Sequence, residues 1–136
     1  MRQLLVTAAV IIRDDRILMA QRRPQDREGG KWEFPGGKVE IGEDPRAGLQ
    51  RELREELGIA VTVEEPLDIV SETNGDLQLI LIYFGCRIVS GTPLPIECQA
   101  VTWLGPGEIA ALEKPPADAR FWQRTGARLL PAEVSR

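Results

Sequence analysis

A chain of 136 residues holds one ordinary domain with its own core and is too short for two. Its 43% hydrophobic and 28% charged residues are the balance of a soluble globular protein, and the longest apolar runs, Leu4–Ile12 and Leu79–Phe84, fall far short of a membrane span. The net charge of −4 argues against a nonspecific nucleic-acid binder, and the absence of histidine leaves carboxylates, Lys, Tyr or Cys for any proton transfer.

Met1-Arg2-Gln3 leads directly into an apolar run, so no secretory leader is expected. Leu4–Ile12 is apolar almost throughout and predicts a buried strand; Arg13–Arg16 is a polar turn, and Ile17–Gln21 returns as a second strand. Arg22–Gly30 is a polar loop, Lys31–Phe34 a short extended piece, and Pro35-Gly36-Gly37 predicts a sharp turn. Asp44-Pro45 starts a helix, with Asp as N-cap and Pro in the first turn, and Gly58 stops it after Leu57. Gly48 in its middle costs about 1 kcal/mol against Ala, and marks either a tolerated weak spot or the close approach of another backbone. Ile59–Val63, Leu67–Thr73 and Leu77–Val89 read as strands, the last apolar on both faces and therefore central. Gln99–Trp103 is a short strand, and Pro106–Leu112 and Ala117–Leu130 are helices divided by Pro115-Pro116. The mixture predicts a single α/β domain with a mixed sheet between helices. Cys86 and Cys98 read as reduced thiols of a cytoplasmic protein.

The helix carries the chemistry. Leu49, Leu53 and Leu57 recur every four residues and face a core, while Glu52, Glu55 and Glu56 share another face at i, i+3 and i+4. Like charges so placed destabilise a helix by roughly 0.2–0.5 kcal/mol per pair, so they are either left in water or neutralised by a cation. Arg51, next to Glu52, is able to grip a carboxylate with both arms of its guanidinium.

From Gly37, five residues lead to Glu43 and seven more to Arg51-Glu52-Leu53-Arg54-Glu55-Glu56-Leu57-Gly58-Ile59. In this spacing the chain resembles the Nudix hydrolases. The stretches Lys31–Glu40 (KWEFPGGKVE), Glu97–Trp103 and Pro115–Asp118 resemble their MutT-type branch of nucleoside triphosphate pyrophosphohydrolases, which includes 8-oxo-dGTP diphosphatases. Ala20–Arg22, Arg51–Ile59 and Pro116–Asp118 also look like enzymes that hydrolyse CTP and 5-methyl-dCTP.

The resemblance implies a Nudix fold over residues 1–136 and hydrolysis of a nucleoside triphosphate to monophosphate and pyrophosphate, clearing unwanted nucleotides from the pool. It implies Mg2+, with Mn2+ as a substitute, held by Glu52, Glu55, Glu56, Glu97 and the Gly36 carbonyl. Glu52 is then the residue that serves the attacking water, with Arg51 beside it in the catalytic group. Glu43 is structural, and Glu40 a solvated surface acid. Arg23, Glu33, Phe34, Pro35, Gly36, Gly37, Lys38 and Asp118 form the implied substrate-binding set; Arg23 and Lys38 either meet phosphate or stay in solvent, and Trp103 is core packing. Asp118 either caps the last helix or reads the base, and as an acceptor-only carboxylate it favours a donor-rich edge such as the amino group of cytosine. The implied partners are the nucleotide alone, with neither nucleic acid nor membrane, for a monomer or homodimer. Two rivals remain: a related hydrolase of ADP-ribose or a nucleotide sugar, and a non-catalytic nucleotide sensor.

Overall fold

The computed structural model describes residues 1–130. Its elements are β1 (Arg2–Arg13), β2 (Arg16–Gln21), β3 (Trp32–Glu33), β4 (Gly36–Lys38), α1 (Pro45–Leu57), β5 (Ala60–Asn74), β6 (Leu77–Ser90), β7 (Ala100–Leu104), α2 (Pro106–Ala111) and α3 (Pro116–Leu129). Strand β1 organises the sheet: it runs parallel to β6 from Arg2 opposite Leu77 to Ile11 opposite Cys86, and antiparallel to β4 on its other edge. Strand β6 in turn pairs antiparallel with β5. The far end of β1 folds back into β2, which is flanked by β3 and β7. The turn uses Asp14 and Asp15 at φ 52° and 59°, a left-handed pair that short polar side chains tolerate and that suits a two-residue hairpin.

A strand covered on both faces must be apolar on both, and β1 obeys this. Ala8 and Val10 face a core with Ile17, Met19, Phe34, Tyr83, Ile109 and Phe121 on the α2 and α3 side. Ala9 and Ile11 face a second core with Leu49, Leu53 and Leu57 of α1. The mixed sheet therefore lies between helices, as expected from the sequence. Helix α1 begins and ends where predicted: the Asp44 carboxylate accepts from the amides of Arg46 and Ala47, and Gly58 stops the helix at φ 70°.

Three local expectations change. Pro35-Gly36-Gly37 does not turn sharply; after a bend at Pro35 the chain runs on as β4 beside β1. Glycine is needed there for proximity, since a Cβ on Gly36 would overlap the Thr7 carbonyl and one on Gly37 would lie 2.5 Å from a Glu52 carboxylate oxygen. The two strands expected over 59–73 are one, β5, because irregular register around Pro66 absorbs the missing N–H without ending the pairing with β6. Helix α3 starts at Pro116 with Pro115 as its cap residue, so Asp118 lies inside the first turn and is not the cap. Cys86 and Cys98 are free thiols. No helix among the described residues is long and apolar enough to cross a membrane.

Leu53 is fully buried between α1 and the sheet. Leu53→Ala is expected to lower unfolding stability by about 3 kcal/mol, read from urea denaturation.

Candidate active site

Arg51 is the hub of the region. Its Nε and Nη2 fork onto Glu43 at 2.8 and 3.0 Å; Nη2 also donates to the Lys38 carbonyl, and Nη1 reaches Glu52 at 3.1 Å and Glu55 at 3.3 Å. One guanidinium thereby joins β4, the 39–44 loop and two acids of α1. Both arms of the fork go to Glu43 and not to Glu52, which receives a single contact. The hydrogen bonds from Arg51 hold the Glu43 carboxyl at about 2, far below the usual carboxylate range, helped by the Glu40 amide. Gly48 is explained here too: Glu43 lies where a side chain at 48 would be, with Oε1 2.8 Å from a Cβ built there, so a side chain and not a backbone makes the close approach.

At the end of α1 the last carbonyls lack intrahelical partners. The loop after β6 supplies them: Leu94 donates to the Leu57 carbonyl, and Ile96 and Glu97 donate to that of Glu56. This strap brings Glu97 beside the acidic face. Arg23 ties the strap from the other side, donating to the Ile96 carbonyl at 3.0 Å. The sequence offered Arg23 as a phosphate contact; in the fold its guanidinium meets a backbone oxygen.

The acids so gathered disfavour their own ionisation. Burial pushes the Glu56 carboxyl up to about 8, with Glu33, Glu52 and Glu97 adding to the effect. Burial also raises Glu52, opposed by Arg51 and assisted by Glu55 and Glu97. Glu33 is raised by burial against the pull of Arg22, whose Nη1 lies 3.1 Å from it. Arg22 is the residue that sequence reasoning passed over: it directly follows β2, whose Ala20 pairs with Glu33 of β3, and only that register shows which of two adjacent arginines meets the acid.

Glu55 and Glu97 are both exposed. Among the described residues no three carboxylates converge into a ready-made cation cage. The reason is visible in the contacts: Glu52 and Glu55 are drawn to Arg51, and the acids repel one another. Their chemistry nevertheless suits a hard divalent cation, which takes carboxylate oxygen and relieves the repulsion that raises Glu52 and Glu56.

The rest of the predicted substrate set divides. Gly37 lies against the Glu52 carboxylate, and Lys38 contributes its carbonyl to Arg51 while its side chain is exposed. The Phe34 ring is 2% exposed and packs edge-on to Tyr83 and Phe121, so it is a core residue and not an open stacking surface; Pro35 is buried as well. Asp118 is also buried, with Oδ2 accepting the Phe34 amide at 3.1 Å and Oδ1 the Tyr83 hydroxyl at 2.6 Å. Burial and then Glu33 lift its carboxyl to about 7 against these hydrogen bonds. Both oxygens are engaged, so direct reading of a base by Asp118 is not what this arrangement presents.

Comparison with known proteins agrees with this geometry. The model of the NUDIX domain matches residues 3–125. The chain is 42% identical over 121 residues to the CTP pyrophosphohydrolase of Escherichia coli, covering 87% of each chain. It is 35% identical over 130 residues to the putative 8-oxo-dGTP diphosphatase 2 of Mycobacterium tuberculosis, covering 93% of this chain and 89% of that one. The solution structure of the E. coli ORF135 protein superposes with a TM-score of 0.81 at 38% identity, covering 98% of this chain and 96% of the other.

The raised Glu56 carboxyl makes stability pH-dependent. Its unfolded value is 4.5 and its folded value about 8, so the fold favours the protonated form. That contribution is complete below pH 4.5 and is lost as pH rises towards 8. Without divalent cation, Tm is expected to fall across this window; Glu56→Gln flattens the slope, and added cation restores Tm at the alkaline end. A wild-type Tm independent of pH there would contradict the assignment.

Proposed function

The chain belongs to the Nudix family, and from that premise we propose that it is a MutT-like nucleoside triphosphate pyrophosphohydrolase that uses Mg2+, with Mn2+ able to replace it. The observation that carries this reading is the acidic second half of α1, where Arg51 holds Glu52 and Glu55 and the 94–97 loop, bonded to the Glu56 carbonyl, carries Glu97 alongside. Such a group gains most from a divalent cation, and triphosphate cleavage needs one to offset charge on the phosphate oxygens. Water attacks a phosphorus of the chain, the bridging P–O bond breaks, and nucleoside monophosphate and pyrophosphate leave. Glu52, Glu55, Glu56, Glu97 and the Gly36 carbonyl are the groups proposed to hold the cation. Glu52 takes the proton of the attacking water. Arg51 touches Glu52 and sets its position. The cation supplies charge neutralisation; the chain supplies placement and the base.

The relatives named for CTP and for 8-oxo-dGTP leave two candidate bases. Asp118 bears on this choice through the Phe34 amide that it holds, and so through the segment leading to Gly37. Arg22, paired with Glu33, and Arg23, on the Ile96 carbonyl, lie beside the segments that carry the acids, and the nucleotide is proposed to lie there with its phosphates towards α1.

Two measurements test the reading. Glu52→Gln is expected to lower kcat by about a hundredfold or more while Tm is kept, and near-normal turnover would remove Glu52 from its role. Steady-state kinetics over 8-oxo-dGTP, dGTP, CTP, dCTP, 5-methyl-dCTP and ADP-ribose identify the substrate class. On that panel Asp118→Asn, which disturbs the grip on the Phe34 amide, is expected to change the ratio of kcat/KM between cytosine nucleotides and 8-oxo-dGTP; an unchanged ratio would show that Asp118 has no part in the choice.

A further inference from the structure

Thr7 is the one polar residue in the apolar run Leu4–Ile12. It is 0% exposed, and its hydroxyl has no hydrogen-bond partner. A buried hydroxyl left unpaired destabilises the fold, so a valine of the same shape would serve the core better. The place of Thr7 in the sheet gives the hydroxyl a purpose. Side chains alternate along β1, and Thr7 shares the face of Ala9 and Ile11, which look onto α1. In the β1–β4 pair Thr7 lies directly opposite Gly37. Opposed residues in an antiparallel pair set their Cβ positions about 4.5–5.5 Å apart on one face. The position that a Gly37 side chain would fill is taken by the Glu52 carboxylate, with Oε2 2.5 Å from it. Glu52 Oε1 already accepts from Arg51 at 3.1 Å. An unpaired donor and a carboxylate with one oxygen held from outside thus stand side by side over the same glycine.

We propose that Thr7 is a positioning residue for Glu52: its hydroxyl donates to Oε2 and grips the carboxylate from the sheet while Arg51 grips it from the helix. A small side-chain rotation closes this contact, and Gly37 leaves the room for it. The hydroxyl is kept at a cost to stability because it aims the base. This rests on the reading of Glu52 given above.

The test uses the full chain and the best nucleotide of the panel. Thr7→Val is expected to lower kcat about tenfold, the loss of one hydrogen bond to a charged group. KM is expected to stay within about twofold, and Tm to be equal or higher, since an unpaired buried hydroxyl has been removed. Thr7→Ser restores most of the lost kcat. In the Glu52→Gln background Thr7→Val adds little further loss, because both changes act on one group. A Thr7→Val kcat within about twofold of wild type, or a loss of kcat matched by a fall in Tm, overturns the proposal. A fully active Glu52→Gln variant instead overturns the role of Glu52, whatever Thr7→Val does.

Discussion

The fork of Arg51 onto Glu43 is the constraint around which the rest is arranged. It makes a short, two-armed contact between a helix and the loop that precedes it, and the remaining donors of the same guanidinium reach the Lys38 carbonyl, Glu52 and Glu55. Such a planar fork is pre-organised, whereas a lysine offers a single mobile point charge. Glu43 is held ionised by this contact, while Glu52, next to Arg51 in sequence, and Glu56, about one turn beyond it, are driven the other way by burial. The loop before the helix therefore carries an acid that is neutralised within the protein, and the helix carries acids that are raised. That contrast separates the structural glutamate from those proposed to hold a cation.

The position of the acids along α1 sharpens the point. Glu52, Glu55 and Glu56 sit in its second half, where the exposed carbonyls and the helix dipole disfavour negative charge. The loop at 94–97 satisfies the last carbonyls with its amides and in doing so delivers a further acid, Glu97. Hydrogen-bond completion and charge accumulation are achieved by the same segment. The fold accepts electrostatic strain at one end of the helix and offsets it with the apolar packing of Leu49, Leu53 and Leu57 beneath. Activity and stability are opposed within a few residues, as is common where charge is assembled for chemistry.

Glycine serves this site by absence. Gly36 lets β4 lie against the Thr7 carbonyl, Gly37 makes room for the Glu52 carboxylate, and Gly48 makes room for Glu43. None of these three lies at a positive φ. Their value is volume left empty beside a carboxylate or a backbone oxygen, in contrast to Gly58, where a left-handed turn is what is required.

Sequence alone determined the local features whose causes are local. The Asp44 cap, the Pro45 start, the Gly58 stop and the four-residue leucine repeat follow from bonding within a few residues, and the spacing from Gly37 to Ile59 carried the family resemblance. Tertiary structure decided whatever depends on register between distant strands. It chose Arg22 over Arg23 as the partner of Glu33, made Pro35–Gly37 an extended edge and not a turn, and merged two expected strands through the irregularity at Pro66. It also turned Asp118 from a helix cap into the acceptor of the Phe34 amide and Tyr83 hydroxyl. Those contacts join residues tens of positions apart, and no periodicity or cap signal encodes which of two neighbouring side chains will face a given partner; only the pairing of β1, β2, β3 and β6 settles that.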